Sequence, residues 1–198
     1  MGNELRDHWF INERLGQRTR IETLPRETGG RTLVLEVVTQ PRRGKDAVPM
    51  HWHTAATEIF EVFAGKARYR LGNEEKEAGP GEKIVMPPRV PHIHPWSADD
   101  QELRVLQTTR VSPPDRVGLT NAVQALVTIY GLAGEGKVNA KGLPNLLQLA
   151  VLIASTLPGT YIAGPPRLIQ DTLFRPLASL GRLLGYRASY PQYGVVPR

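Results

Sequence analysis

Short β-rich runs separated by turn residues fill the sequence from residue 32 to residue 110. Residues 32–39 form an almost continuous apolar run, interrupted by Glu36, which is typical of a buried strand. Turns follow at Gly65, at Gly72-Asn73 and at Gly79-Pro80-Gly81. The further runs cover residues 58–64, 67–71, 75–78, 83–86 and 103–109. Many short strands at this spacing predict a β-sandwich or a β-barrel.

The periodicity becomes helical beyond Pro113-Pro114. Three helices are predicted, the second over residues 146–157 with its end at Pro158-Gly159, and the third over residues 166–184 with a kink at Pro176. The first has an apolar stripe made of Leu119, Val123, Leu126, Val127 and Tyr130. The third has one on a single side, made of Ile169, Leu173, Leu177, Leu180 and Leu184.

The chain of 198 residues has no cysteine, which excludes a disulfide framework and a thiol nucleophile. Its N-terminus carries Glu4, Arg6 and Asp7 and lacks the apolar core of a secretory signal, so we expect a cytoplasmic protein. Residues 142–166 contain no charge, but their apolar run is interrupted at Pro158-Gly159 before it reaches the ~20 residues of a membrane span. Membrane insertion is therefore disfavoured, and a helix buried against the barrel or in a subunit interface is the better interpretation.

A net charge of +6 raises the question of a nucleic-acid partner. Much of the excess lies near the C-terminus, and its arginines are mostly seven or eight residues apart, which favours the solvated face of a helix over a phosphate-binding tail. Those arginines are Arg167, Arg175, Arg182, Arg187 and Arg198.

Three potential metal ligands lie within eight residues at His51, His53 and Glu58. Two histidines one residue apart lie on the same face of a strand. Glu58 follows a short turn and can return to that face at the start of the next strand. His92 is the natural candidate for a fourth ligand.

These residues stand in two spaced motifs. The pattern His51-x-His53-x4-Glu58-x6-Gly65 resembles the first conserved motif of the cupin superfamily, and Gly81-x5-Pro87-x-Arg89-x2-His92 resembles the second. The resemblance covers about residues 30–110, and two spaced motifs together are much more specific than either alone. It implies a mainly β fold, a double-stranded β-helix or jelly-roll barrel, in residues 1–112, with residues 113–198 as an α-helical extension on the barrel or on a partner subunit.

The resemblance also implies that His51, His53, Glu58 and His92 hold a metal in the mouth of the barrel. The chain departs from the family at Arg89, where glycine is usual and normally serves a backbone with positive φ. It departs again at Gly44, one residue too far from His51, and at Trp96, which replaces an asparagine.

Three imidazoles and one carboxylate suit a divalent transition metal such as Fe, Mn, Ni, Co or Zn. On an octahedral ion, four protein ligands leave two positions open for a substrate or dioxygen. If zinc were bound, the four ligands could instead close a tetrahedron and make the site structural.

The sequence evidence for other residues near the site is weaker. Phe60 and Val62 are in phase with Glu58 and are predicted to line an apolar pocket, whereas Trp52 should face away from the metal. Arg89 or Arg104 could pair with an anionic substrate, although isolated arginines more often only face solvent. The remaining histidines, His8 and His94, are interpreted as ordinary core or surface residues.

Three function classes follow. The favoured one is a metal-dependent enzyme on a small organic molecule, either an oxygenase or a lyase or isomerase. The second is a non-catalytic module that binds or senses a small ligand. The third is an interaction protein that binds its partner through its C-terminal helices. We expect a homodimer and a small-molecule ligand, and we expect neither a nucleic acid nor a membrane as partner.

Overall fold

The computed structural model describes residues 8–45, 47–155 and 159–194. Within them the chain forms eleven strands, three α-helices and two short 3-10 helices. The strands are β1 (Phe10–Asn12), β2 (Gln17–Thr23), β3 (Thr32–Thr39), β4 (His51–His53), β5 (Ala56–Ala64), β6 (Ala67–Leu71), β7 (Glu74–Ala78), β8 (Lys83–Met86), β9 (His92–Ser97), β10 (Leu103–Val111) and β11 (Thr160–Ile162). The α-helices are α1 (Arg116–Gly134), α2 (Leu146–Ile153) and α3 (Arg167–Leu183), and the 3-10 helices cover Pro25–Thr28 and Pro191–Tyr193.

The strands form two antiparallel sheets. The six-stranded sheet has the order β1-β2-β3-β10-β5-β8, and the five-stranded sheet has the order β11-β4-β9-β6-β7. Neighbours in both sheets are often distant in sequence, as with β3 and β10, which is the pattern of a jelly roll. Two such sheets followed by helices confirm the predicted fold class.

The sequence periodicity located most of the strands that form the barrel. The predicted bounds of β3, β6 and β8 agree with the structure. The strands β1, β2 and β11 were not predicted, because β1 and β11 have only three residues each and β2 carries charged side chains on alternate positions.

Two hydrophobic clusters stabilise the barrel. The first lies between the sheets, where Phe60, Val62 and Val105 of one sheet pack with Ala67 and Ala78 of the other. The second lies where α1 covers β1, β2 and β3, and includes Leu35, Leu119 and Val127. The helix thus covers one part of the larger sheet.

Helix α1 is long enough and apolar enough to cross a membrane, by length and composition alone. About half of it is buried inside the protein, where it packs on β1 and on the larger sheet. A buried core helix can meet the same criteria of length and composition as a membrane-spanning helix. The uncharged segment 142–166 is not one continuous helix, because α2 ends at Ile153 and β11 begins at Thr160.

The two C-terminal helices pack on each other and on the barrel. Ala178 and Gly181 of α3 lie against α2, and a β-carbon at Gly181 would be 2.8 Å from Val151. The buried Gln170 side chain binds both backbone polar groups of Ile162 and thereby joins α3 to β11. Helix α2 ends before the predicted residue 157, and Pro158 of the predicted stop at Pro158-Gly159 lies outside the described residues.

Most of the predicted apolar stripe of helix α3 lies on the side that faces away from α2, whereas Leu177 packs against the cluster of Ala150, Val151 and Ala178. Ile169, Leu173, Leu180, Leu183 and Leu184 are 47–85% exposed. Arg167, Arg175 and Arg182 are exposed on the same helix, as the solvated-face interpretation predicts, whereas Arg187 follows the helix and Arg198 lies outside the described residues.

Candidate metal centre

The site begins with the two histidines of β4. Alternation along this strand buries His51 and His53, which are 6% and 7% exposed. Trp52 lies on the opposite face, where its ring stacks on Tyr161 of β11 at 5.0 Å between centroids. Both histidine rings therefore face the interior between the sheets.

Strand β9 brings a second pair of histidines to the same place. His92 is paired with His51 in the sheet and is fully buried. His94 lies two residues further on the same face, and its ring is parallel to that of His92 at 5.8 Å. Its ring is also 4.9 Å from the His51 ring. Pro95 suggested a place at the sheet rim, but β9 continues through Pro95 to Ser97 and keeps His94 in phase with His92.

The four imidazoles converge on one oxygen of Glu58. This residue is on β5 and is 4% exposed. From its Oε2 atom, the Nε2 atoms of His94, His92, His53 and His51 lie at 2.8, 3.0, 3.4 and 3.9 Å. The other carboxylate oxygen, Oε1, accepts a hydrogen bond of 3.0 Å from Gln107 Nε2, so the carboxylate is held with Oε2 toward the histidines.

Three of the four rings are fixed by their Nδ1 atoms. Nδ1 of His51 is 2.9 Å from the carbonyl oxygen of Pro49, and Nδ1 of His92 is 2.9 Å from that of Val90. Nδ1 of His53 is 2.9 Å from Thr160 Oγ1 on β11. Such partners fix the orientation of metal-binding histidines and leave Nε2 free to bind.

The chemistry of these donors fits a cation. A backbone carbonyl only accepts, so Nδ1 of His51 and His92 carries the proton, and in the neutral rings Nε2 presents a lone pair. A lone pair 3.0 Å from a carboxylate oxygen is repelled unless a proton or a metal ion lies between them. One carboxylate oxygen has two lone pairs and cannot accept four such protons. Nε2 of His53 is buried and has no hydrogen-bond partner among the described residues, which a metal ion would supply.

The electrostatics favour the deprotonated forms that metal binding requires. Burial lowers the pKa of His51 well below 6.5, and the charge of His94 adds to this effect against the opposing charge of Glu58. Burial alone would raise the pKa of Glu58, but without a metal the positive charge of a protonated His94 and hydrogen bonds from imidazoles protonated at Nε2 outweigh it and hold that pKa well below 4.5. A neutral imidazole and an ionised carboxylate are the metal-binding states of these groups.

One donor atom from each of His51, Glu58, His92 and His94 lies within 4.8 Å of all the others. Bonds of about 2.0–2.2 Å place opposite ligands of one ion roughly 4.2 Å apart. This cluster of three histidines and one glutamate can therefore hold a metal ion. It shares three residues with the set expected from sequence, and His53 lies beside it.

The pocket residues predicted from sequence have different surroundings. Phe60 is 1% exposed with its ring 5.0 Å from that of His94, while Val62 lies deeper in the core. Arg89 has φ of 67° and its backbone N–H donates to the carbonyl oxygen of His53. The left-handed backbone that glycine usually serves is thus kept here with an arginine, whose side chain is exposed beside Trp52 and Arg167.

The structure does not bring Arg104 to the histidines. Arg104 is three residues from Gln107 on β10 and lies on the opposite face of that strand. Its guanidinium donates to the buried carboxylate of Glu36, which Arg20 also binds at 2.6 Å. Arg104 thus compensates the buried charge of Glu36. This position, away from the histidines, disagrees with the prediction that Arg104 lines the pocket.

Sequence reasoning missed Gln107, Thr109 and Thr160 as partners of the site. Gln107 and Thr109 are opposite Phe60 and Glu58 in the ladder between β10 and β5, so their position depends on strand register. Thr160 reaches His53 because β11 pairs with β4 across more than 100 residues of sequence. No local pattern indicates either relationship.

One protein-family model matches the region of the barrel. The model of the cupin domain family matches residues 38–109. No curated protein sequence matches the chain.

Solved structures resemble about half of the chain. A cupin-like protein from Thermotoga maritima is 23% identical, with 52% of this chain and 71% of that chain covered and a TM-score of 0.41. KdgF from Halomonas sp. is 18% identical, with 52% and 86% covered and a TM-score of 0.41. Streptomyces Pac13, described as a nucleoside dehydratase and solved with uridine, is 14% identical, with 54% and 77% covered and a TM-score of 0.41. Residues 38–109, which contain the two motifs and most of the antiparallel strands, therefore form a cupin domain.

Proposed function

We propose that the protein is a metal-dependent enzyme that acts on a small organic molecule, as an oxygenase or as a lyase or isomerase. The observation that carries this proposal is the convergence of four Nε2 atoms on Oε2 of Glu58. His51, His53, Glu58 and His92 would hold one divalent ion of Fe, Mn, Ni, Co or Zn. When bound, such an ion supplies Lewis acidity, and iron also supplies redox chemistry.

The surrounding residues define what the chain itself contributes. Gln107 holds the Glu58 carboxylate through Oε1, and the carbonyl oxygens of Pro49 and Val90 hold two imidazoles, so the donors are arranged before any ligand arrives. Phe60 supplies an apolar wall next to His94, which limits the water that can reach the site. His94 is the most exposed of the four histidines, with 19% of its side chain accessible, so we place the approach of a substrate on its side.

The enzymatic proposal is tested with anaerobically purified protein supplied with Fe(II). We expect dioxygen consumption with an organic substrate, or rearrangement of a carbonyl compound without dioxygen, and we expect His51→Ala to abolish either activity. Absence of turnover across a broad substrate screen, with metal demonstrably bound, would contradict it. Tight binding of an unchanged metabolite would instead favour the alternative of a sensing module.

We also propose that residues 1–112 are the barrel domain and residues 113–198 an extension that completes it. Two contacts support this division. Helix α1 covers the larger sheet, and Thr160 of β11 reaches His53. A cytoplasmic location and the lack of a nucleic-acid partner remain predictions from the sequence.

The protein is further proposed to form a homodimer through α3. Ile169, Leu173, Pro176, Leu180 and Leu183 are exposed and separated by alternating steps of four and three residues. This is the spacing of a helix that pairs with another helix. We call these five residues the α3 seam.

The charges on α3 favour a second copy of this chain as the partner of the seam. Thr172 and Ser179, which flank the seam, are neutral. Arg167 and Arg182 donate to Tyr161 and Ser155 of the same chain, and Arg175 is exposed on α3 outside the four-and-three spacing of the seam. Two copies of a basic protein can therefore join their seams without bringing arginines together.

A further inference from the structure

We propose that His94 is a fifth protein ligand of the metal, in addition to His51, His53, Glu58 and His92, and that it fills one of the two positions that four ligands would leave open. This inference rests on the proposed metal centre. It assigns to His94 a role that the two sequence motifs do not give it.

Distances place His94 inside the donor cluster. Its Nε2 atom is the closest of the four imidazole nitrogens to Oε2 of Glu58, at 2.8 Å. Its donor also lies within 4.8 Å of those of His51, Glu58 and His92, close to the roughly 4.2 Å between opposite ligands of one ion.

His53 lies beside this group of four donors and not within it, and its inclusion raises the number of donors to five. Its Nε2 atom is buried, 3.4 Å from Oε2 of Glu58, and has no hydrogen-bond partner among the described residues. Its Nδ1 atom is held by Thr160, so the ring is oriented toward the cluster. If His53 were not a ligand, its buried Nε2 atom would have no partner. If His94 were not a ligand, the Nε2 atom of His94 would face the Glu58 carboxylate without binding the ion.

His94 differs from the other four ligands in how it is held. Across the described part of the chain, no hydrogen bond fixes its Nδ1 atom, whereas Nδ1 of His51, His53 and His92 each have a partner within 2.9 Å. Its side chain is also 19% exposed, against 0–9% for the other histidines. Five protein ligands leave one open position on an octahedral ion, so a small molecule can bind through one atom, and a chelating molecule must displace His94.

The test uses Mn(II) as the probe, because its unpaired electrons report directly on bound water and nitrogen. The wild-type protein, His94→Ala and the control His8→Ala are each titrated with Mn(II), and the number of exchangeable inner-sphere waters is obtained from water-proton relaxivity. We expect one water in the wild type and in His8→Ala, and two in His94→Ala, with an approximately twofold rise in inner-sphere relaxivity. Equal water numbers in the wild type and His94→Ala, each with one Mn(II) bound, would overturn the inference and leave the metal centre intact.

A second measurement needs only the wild-type protein and so does not depend on the folding of a variant. Pulsed electron paramagnetic resonance of the Mn(II) form counts the coupled imidazole nitrogens. Four directly bound nitrogens support the inference and three overturn it. Failure of the wild type to bind Mn(II), Fe(II), Co(II), Ni(II) or Zn(II) would overturn the proposed metal centre itself.

Discussion

The Nε2 atom of His94 lies 2.8 Å from Oε2 of Glu58, closer than Nε2 of His92 at 3.0 Å. The two histidines reach the same carboxylate because they are two residues apart on β9, with their rings parallel. Glu58 is thus the centre of the cluster, and its charge is the property on which metal binding should depend most.

Glu58→Gln should weaken metal binding by about tenfold or more, because it removes the negative charge of the cluster while keeping a similar shape. Calorimetric titration with Zn(II) measures the affinity. Glu61→Gln is the matched control, since Glu61 is on the same strand but faces Lys83 on the outer surface. An affinity for Glu58→Gln equal to that of the control would show that the carboxylate is not a ligand.

Arg89→Gly should stabilise the protein by about 0.5–1 kcal/mol, because an arginine with φ of 67° is in the left-handed region that glycine adopts without strain. Urea unfolding measures the change in free energy. Arg89→Ala removes the same side chain but keeps the β-carbon, so it should give no such gain. A gain for alanine equal to that for glycine would mean that the side chain, and not the backbone, is the source of strain.

The sequence predicted the barrel better than the surroundings of the site. Strands such as β3 and β6 were predicted from their apolar residues and from the turn residues on either side. The spacing of His51, His53, Glu58 and His92 indicated the cluster. His94 was not expected beside the ligands, because Pro95 suggests the end of a strand, whereas β9 continues through it. Gln107 and Thr160 depend on pairing between distant strands, which no local pattern contains. The exposure of the apolar side of α3 depends on which face α2 covers, and both faces carry apolar residues.

Phe60→Ala should destabilise the protein by about 3–5 kcal/mol, since it opens a cavity in the core between the sheets. Phe60 is 1% exposed, whereas Phe63 on the same strand is 56% exposed and provides the control. Phe63→Ala should change the free energy of unfolding by no more than about 0.5 kcal/mol. Similar losses for the two variants in guanidinium unfolding would contradict the assignment of the core.

The protein should lose stability as the pH rises from about 10 to about 12, because of Tyr130. Burial raises the pKa of Tyr130 to about 12, against 10.0 in the unfolded chain, and its hydroxyl lies 3.1 Å from Thr19 Oγ1. The stability that its protonated form contributes is fully present below pH 10 and is lost as the pH approaches the folded pKa. Thermal unfolding of wild type and Tyr130→Phe over this range measures the effect. An equally steep alkaline loss in the variant would rule out Tyr130 as its source.

Leu173→Glu should convert the proposed dimer to a monomer, because it places a charge in the middle of the α3 seam. Light scattering coupled to size exclusion gives the molar mass. Leu168→Glu is the control, since Leu168 is exposed on α3 but lies outside the seam. A monomeric wild type, or a Leu173→Glu variant that remains dimeric, would contradict self-association through this surface.

The metal content of anaerobically purified protein tests the central claim most directly. Elemental analysis should find about one divalent transition metal per chain in the wild type and in His8→Ala, whose histidine lies outside the cluster. His51→Ala and His92→Ala, each of which removes one of the converging nitrogens, should contain little metal while remaining folded by circular dichroism. Wild-type protein as poor in metal as these two variants, and still so after incubation with each of the five candidate ions, would contradict the account.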